Sequence, residues 1–192
     1  GVLVAKDGEM VVEFTQYDYP DWALKSVHLD KLSTENFKIP ADKPETVRVM
    51  RVFPGLVHTA EEHVELTPKN GGLQSDATRD IAKIALFYRH QEKEGLTGTK
   101  GLGFMTGATL KPNVAFASTV AHDCHNLMVL GTDDNAMVLA GNALIESGGG
   151  FAVVVDGKIE ALMPLPLAGL MTLEPVEVAA KQVRMVEDAI KK

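Results

Sequence analysis

A short polar segment near the middle of the chain holds most of its chemically active side chains. Five consecutive positions carry two imidazoles, a carboxylate, a thiol and an amide, namely His122, Asp123, Cys124, His125 and Asn126. Imidazole titrates near neutral pH and binds metals, a carboxylate orients its neighbours, and an amide recognises hydrogen-bonding edges. An apolar run at 127–130 follows directly. A polar cluster at the mouth of a strand is a candidate functional site, and the alternative is a polar turn bonded to its own backbone.

Two narrower chemistries are open to this segment. His122 and His125 are three positions apart, so they can converge on a metal only if the segment turns helically, and two histidines do not close a site. Cys124 could act as a nucleophile, because a nearby imidazole lowers a thiol pKa. However, adjacent residues of an extended segment point to opposite faces. Both chemistries are weaker expectations than a pocket whose main catalyst lies elsewhere.

Composition excludes several classes of function. The 192 residues carry a net charge of -7, and no basic stripe is present that could displace counterions from a nucleic acid. No run approaches the roughly 20 apolar residues of a membrane span. One cysteine excludes an internal disulfide and a zinc deaminase of the C-x-x-C type, so we expect a cytoplasmic protein without nucleic-acid or membrane partners. The start at Gly1, inside a strand pattern, predicts a chain cut from something longer, although removal of an initiator methionine would look the same.

Runs with strand periodicity recur along the chain, and two of them flank the polar cluster. Asp7-Gly8 lies between two apolar runs and predicts a tight hairpin at the amino terminus. The strands are predicted at residues 2–5, 10–14, 46–53, 63–66, 102–108, 114–120, 127–131, 151–155 and 159–163.

Three main helices are predicted between and after these strands. Ser75 or Asp76 can cap the first, whose apolar residues recur at helical spacing until Gly95 ends it. Residues 15–43 form an irregular wrap with one helical turn near Trp22, stable only if its aromatic side chains are buried against another surface. The helices are predicted over residues 77–94, from the cap Thr132-Asp133-Asp134 to the glycines at 148–150, and over residues 174–192. This alternation predicts an α/β or α+β fold, with a mixed β-sheet packed by about three main helices.

Several separated blocks carry a resemblance to a known family. They are Arg89-His90, Gly103-Phe104-Met105-Thr106-Gly107, residues 117–126, Gly131-Thr132-Asp133-Asp134, Gly148-Gly149-Gly150 and Leu165-Pro166-Leu167-Ala168-Gly169-Leu170. With these blocks, residues 79–171 resemble the carboxy-terminal domain of bacterial adenine deaminases, members of the amidohydrolase superfamily. Family members usually have Ser where this chain has Cys124. The upstream part resembles the closing strands of the family's β-sandwich and the linker beyond it.

The resemblance implies metal-dependent hydrolysis of adenine to hypoxanthine and ammonia, in purine salvage. In the family a dinuclear centre, commonly manganese or iron, lies in an amino-terminal (β/α) barrel and activates the hydroxide that attacks purine C6. A barrel needs about 250 residues, and this chain has neither that length nor the barrel's His-x-His pair. The resemblance therefore implies a partial polypeptide that is inactive alone. Its expected partners are adenine, the amidohydrolase barrel and further copies of itself in a homo-oligomer.

Domain boundaries and site roles follow as expectations. Residues 1–45 would be a β-hairpin and irregular linker left from the β-sandwich, and residues 46–192 the carboxy-terminal α/β domain. The site residues would cap the barrel mouth, orient the purine or hold a supporting hydrogen bond. Supporting catalytic roles are expected for His122, Asp123, His125 and Asn126, substrate binding for Arg89, His90 and Ser118, and no metal ligand is expected in this chain.

Three alternatives stay open. Arg89 and His90 could be a charged, solvated helix end that complements the helix dipole. The chain could be a non-catalytic ligand-binding or oligomerisation module that carries the same fold. It could also be a self-contained metal hydrolase built on His122 and His125.

Overall fold

The computed structural model of the chain describes residues 1–13, 17–90 and 99–191. Within these residues there are three α-helices and twelve β-strands. The helices are α1 (Asp21–Leu24), α2 (Asp134–Ser147) and α3 (Val176–Ile190). The strands are β1 (Ala5–Lys6), β2 (Glu9–Met10), β3 (Ile39–Pro40), β4 (Glu45–Val52), β5 (Thr59–Leu66), β6 (Gly72–Leu73), β7 (Ala82–Phe87), β8 (Lys100–Thr106), β9 (Val114–Ser118), β10 (Leu127–Gly131), β11 (Gly150–Val155) and β12 (Lys158–Pro164).

Eight strands form one mixed sheet in the order β12-β11-β9-β10-β7-β8-β4-β5. Neighbouring strands are antiparallel except β4 and β8, which are parallel. The strands β10 and β11 lie on either side of β9 and are connected through α2. The predicted fold class, a mixed sheet packed by helices, is confirmed.

The amino-terminal hairpin forms as predicted. β1 pairs with β2 through Ala5 opposite Met10 and Lys6 opposite Glu9. Asp7 and Gly8 have φ angles of 52° and 83°, the left-handed geometry that a two-residue hairpin turn requires. The strands are shorter than predicted, since residues 2–4 and 11–13 are not strand, and residue 14 lies outside the described residues.

The predicted ribbon of residues 46–53 and 63–66 also forms, but not as a separate unit. β4 and β5 pair along their whole lengths, from Glu45 opposite Leu66 to Val52 opposite Thr59. Because β4 also pairs with β8, this ribbon is the edge of the main sheet.

The helix predicted over residues 77–94 is wrong. A short 3-10 turn, Ala77–Arg79, ends at Asp80, whose φ of 54° is incompatible with a continuing right-handed helix. The chain then forms β7, which pairs with β10 on one side and β8 on the other. A central strand is buried on both faces, so its apolar residues show no clean alternation and resemble a helical pattern. The predicted residues 91–94 lie outside the described part of the chain.

The helix α2 packs on one face of the sheet and forms the largest core. Its Met137, Ala140 and Leu144 pack with alternate residues of the central strands, such as Val129. Leu32 and Phe37, from the irregular segment before β3, are buried in the same core. The side chain of Asn142 in α2 holds that segment through two hydrogen bonds with the backbone of Leu32, at 2.8 and 3.0 Å. The domain boundary at residue 45 stays a prediction.

The opposite face of the sheet is only partly covered. The helix α3 packs on β11 and β12, where Ala189 meets Val153 and Ala161. Over β4, β7 and β8 the face is an open groove of about 600 Å³. Gly101 and Gly103 line this groove, and a Cβ added at Gly101 would meet no atom within 4 Å. In the described residues, no helix is both long and apolar enough to cross a membrane.

Candidate functional site

The polar cluster lies at one end of the main sheet, where several strand ends meet. Residues 119–126 connect β9 to the antiparallel β10. Because β7 and β12 run in the same sense as β9, the segments that follow them reach the same end. Arg89 and His90 come two and three positions after β7, and residues 165–170 follow β12. With Gly148-Gly149-Gly150, which come at the start of the antiparallel β11, the topology gathers four of the sequence blocks at this end of the sheet.

His122 and Asp123 form the exposed tip of the cluster. Nδ1 of His122 lies 2.9 Å from Oδ1 of Asp123, and the two side chains are 91% and 93% exposed. A carboxylate only accepts hydrogen bonds, so Nδ1 carries the shared hydrogen when the imidazole is neutral and Nε2 is left facing outward. This pair can offer a hydrogen bond or exchange a proton with a molecule placed over it.

The backbone of the cluster has an uncommon conformation. Asp123 and His125 have φ angles of 73° and 49°, in the left-handed region that residues other than glycine seldom adopt. The N–H of His125 donates to the Ala121 carbonyl at 2.7 Å, which closes the turn. Within the described part of the chain, the buried Nδ1 of His125 has no hydrogen-bond partner. Such a conformation persists only where surrounding contacts hold it.

Arg89 is buried beside the cluster, and its side chain is 1% exposed. Its Nε donates to the His125 carbonyl at 2.6 Å and its Nη2 to the Ala168 carbonyl at 2.9 Å. Its Nη1 donates to the carbonyl and hydroxyl oxygens of Ser26 at 2.9 and 3.0 Å. Burial lowers the pKa of the Arg89 guanidinium from its ordinary value, an effect that the nearby Cys124 opposes. The group stays charged at neutral pH, since arginine starts from so high a pKa.

His90 lies at the edge of an open cleft beside the cluster. Its Nε2 lies 3.2 Å from the Cys124 carbonyl, and its ring meets that of Tyr88 edge to face at 5.3 Å. The cleft has a volume of about 500 Å³ and is lined by Trp22, Ser26, His28 and His90. An indole and two imidazoles can stack on a planar ring and bond its edge.

Ser118 lies behind the cluster and is buried, at 4% exposure. Its hydroxyl accepts a hydrogen bond from the N–H of Val120 at 3.0 Å. The neighbouring Thr119 is also buried, donates from its hydroxyl to the Gly169 carbonyl at 2.6 Å and accepts from the N–H of Gly150 at 2.7 Å. These contacts join residues 119–126, which we call the cluster loop, to β11 and to the segment after β12.

The structure brings most of the predicted site residues together. Arg89 and His90 contact the cluster backbone, and the Arg89 N–H donates to the Asn126 side-chain oxygen at 3.4 Å. The roles assigned to these residues stay predictions. Arg89 and Ser118, expected to bind substrate, have their side chains buried and bonded to the chain itself.

No sequence pattern indicates that some of the residues found here belong to the site. Ser26 and His28 lie about sixty positions before Arg89, in a segment that reads only as an irregular wrap. Thr119 and Gly169 lie inside recognised blocks, but nothing in their types indicates that they meet. The glycine at 169 is the one available signal, because the absence of a side chain permits close approach of another group.

The residues at the site do not fit the self-contained metal centre on His122 and His125 that the sequence left open. Across residues 1–13, 17–90 and 99–191, no three His, Cys, Asp or Glu side chains are grouped so that they could hold a metal ion. His122 and Asp123 bond each other at the surface, and the ring of His125 is 6.3 Å from that of His122 between centroids. A closed site needs three or four convergent ligands, so no step of a reaction through a metal is assigned to this chain.

Comparison with known proteins identifies the family. The sequence profile described as "Adenine deaminase C-terminal domain" matches residues 56–192. The Adenine deaminase of Clostridium botulinum (strain Loch Maree / Type A3) is 45% identical over 194 residues, covering 100% of this chain and 32% of that protein. The Adenine deaminases of Rubrobacter xylanophilus and Moorella thermoacetica are 40% and 42% identical, covering 100% and 98% of this chain and 31% and 32% of their own lengths.

The chain thus spans about a third of the length of the curated relatives it matches. The profile covers more than half of the chain, and its match includes the cluster loop, Arg89 and the segment after β12. This chain belongs to the family of adenine deaminase C-terminal domains.

Proposed function

We propose that this chain serves, as the carboxy-terminal domain of a longer adenine deaminase, the hydrolysis of adenine to hypoxanthine and ammonia. The names of the relatives support the reaction, and the share of their length that the chain spans supports a role as one part of a larger protein. The observation that carries the role of this domain is the exposed His122–Asp123 pair beside the cleft of Trp22 and His90. These groups face outward, so they can act on a molecule held by another domain.

The chemistry of these side chains suits a purine. Adenine presents ring nitrogens and an exocyclic amine, which hydrogen-bond to imidazoles, and a flat face, which stacks on an indole. We propose that His122, oriented by Asp123, accepts a hydrogen bond at Nε2 or, as the imidazolium, donates a proton to the purine or its departing amine. His125 and Asn126 support the loop, and His90 contacts the substrate. A metal that activates water, manganese or iron by resemblance, would be held by the amidohydrolase barrel.

The wider setting is part of the same proposal. The protein would act in the cytoplasm in adenine catabolism, and residues 1–45 would be the remnant of a β-sandwich joined to the domain of residues 46–192. A homo-oligomer is supported by exposed apolar side chains on α3, where Val176 and Met185 are 74% and 56% exposed.

A second candidate is a non-catalytic ligand-binding or oligomerisation module. The open groove over β4, β7 and β8 favours it, because a concave, largely apolar surface can receive a ligand or a second protein. This groove lies on the sheet face opposite α2.

The test is a chimera in which this chain replaces the matching third of the Clostridium botulinum protein. We expect the chimera to release ammonia from adenine with added manganese, and this chain alone to release none. The same relative without that third is the matched control, and we expect it to be far less active than the chimera.

Two results would contradict the proposal. Ammonia release by this chain alone would mean that it holds a complete site. A folded but inactive chimera, beside an active parent protein, would mean that this domain does not serve the reaction and would favour the ligand-binding module.

A further inference from the structure

The guanidinium of Arg89 joins three segments that are distant in sequence. It donates to Ser26 in the irregular segment after α1, to His125 in the cluster loop and to Ala168 after β12. The backbone of Arg89 adds two more links, since its N–H donates to Asn126 and its carbonyl accepts from the N–H of His28 at 2.8 Å. One residue therefore holds Ser26 and His28, which line the cleft, at a fixed separation from the cluster loop.

The surroundings of this guanidinium are shaped to receive it. Gly169 lies directly against it, and a Cβ at that position would come within 2.9 Å of Cζ, Nη1 and Nη2 of Arg89. Ala168 has a left-handed φ of 57° and is fixed by a hydrogen bond from its N–H to the Ala23 carbonyl at 2.6 Å. This backbone path aims the Ala168 carbonyl at Nη2.

The four acceptors on the guanidinium are carbonyl and hydroxyl oxygens. Burying a cation among neutral groups is costly, and its hydrogen bonds offset that cost only while their geometry holds. Arginine suits such a place because its planar fork directs five donors in fixed directions. A single ammonium group presents its three donors from one atom and does not reproduce this planar fork.

The strained loop contacts this guanidinium directly. His125 has a left-handed backbone, and its carbonyl is the acceptor of the shortest of the Arg89 bonds. We propose that Arg89 is a positioning residue that holds the cluster loop in its strained form and so sets the direction of His122 and His125, without touching the substrate. Its effect on turnover rests on the proposed function, whereas its effect on the loop does not.

The first test compares the amide NMR spectrum of this chain with the spectra of its Arg89→Lys and Gly169→Ala variants. The Arg184→Met variant is recorded as a control. Arg184 is exposed on α3 and bonds Ala180 in its own helix, so it is the matched control. We expect the amides of 123–126 to shift or broaden in the first two variants, with those of α2 unchanged. In the Arg89→Ala variant, added ethylguanidinium should occupy the place of the missing side chain and restore the loop signals. A variant that had lost its fold would show no such rescue.

The spectra can overturn the inference by themselves. Unchanged amides at 123–126 in folded Arg89→Lys and Gly169→Ala variants would do so, and so would a folded Arg89→Ala chain that ethylguanidinium leaves unchanged. If Arg89→Ala does not fold, the other two variants decide.

The second measurement uses the chimera described above. Arg89→Lys is expected to lower kcat about 10-fold to 100-fold with little change in KM for adenine, as for residues that orient others. A raised KM with an unchanged kcat would mean that the guanidinium binds substrate, which overturns the inference. An inactive chimera would count against the proposed function only, since the spectra still decide the role of Arg89.

Discussion

At the scale of single residues, the cluster divides into an exposed part and a supporting part. His122 and Asp123 are almost fully exposed and bond each other, so removing either side chain leaves the core intact. His125 and Arg89 are held within the fold, and their contacts shape the loop that carries the exposed pair. In the proposed function, chemistry and support would thus fall to different residues of the site.

His122→Ala in the chimera is the prediction at this scale. We expect turnover of adenine to fall by about 100-fold or more, the range for a residue that moves a proton or a hydrogen bond in the reaction. The free energy of unfolding should change by less than about 0.5 kcal/mol, because the side chain is exposed. Steady-state kinetics and urea unfolding measure the two effects.

His63→Ala is the matched control for this variant. His63 is an exposed histidine on the edge strand β5, four strands away from β10 in the sheet. Its removal should leave turnover unchanged. Losses of activity and stability of equal size in His122→Ala would contradict a functional role.

At the scale of elements, the strand β7 and the helix α2 are joined by a buried ion pair. Nζ of Lys83 lies 2.6 Å from Oδ1 of Asp134, and the Lys83 side chain is 0% exposed while that of Asp134 is 19% exposed. Asp134 is the first residue of α2, where a carboxylate also interacts favourably with the helix dipole. The pair therefore fixes the start of α2 against the centre of the sheet.

Breaking this pair should have asymmetric effects. Asp134→Ala leaves the Lys83 ammonium buried without its counter-ion, and we expect a loss of about 3 to 5 kcal/mol in the free energy of unfolding. Lys83→Met should cost less, because the carboxylate of Asp134 can still reach water. Urea unfolding of both variants and of the double variant measures the coupling, and equal losses in the two single variants would contradict this account.

β7 also shows where sequence patterns fail. Ala82, Lys83 and Leu86 belong to residue types that favour helices, so local propensity points away from a strand. Pairing with both β8 and β10 overrides that propensity. The Lys83 ammonium fits a buried position only because it forms an ion pair with the Asp134 carboxylate. None of these partners is close to β7 in sequence.

At the scale of the whole molecule, the described residues among the first 22 carry several exposed apolar side chains. Val2, Leu3, Tyr17 and Trp22 are 80%, 64%, 67% and 71% exposed. Exposed aromatic and aliphatic side chains in one region mark a surface that other protein covers. Trp22 also lines the cleft beside the cluster, so the proposed partner domain would cover this region and the site together.

Hydrogen exchange of residues 17–24 is the prediction at this scale. In this chain alone these amides should exchange quickly, because little of the segment is buried. In the chimera we expect much slower exchange, with residues 158–163 of β12 as an internal control that changes little. Exchange at the same rate in both proteins would show that the partner domain does not cover Trp22.

The sequence by itself determined those features whose causes are local. Asp7 and Gly8 permit the left-handed turn of the first hairpin. Asp133 accepts from the N–H of Ala136 at 2.8 Å and begins α2, and Gly148, with a φ of 76°, ends it. The density of ionisable groups at 122–126 indicated a candidate site for the same reason, since it needs only neighbouring residues.

The tertiary structure alone decided what depends on distant partners. Pairing with two neighbouring strands made β7 a strand and not a helix, and the sheet topology brought Arg89, Ser26, His125 and Ala168 to one point. A buried guanidinium and an exposed one have the same sequence pattern, because their difference lies in groups up to 79 positions away. Local preferences are set by a few adjacent residues, whereas the free energy of burial and the partners of a charged group are set by the whole fold.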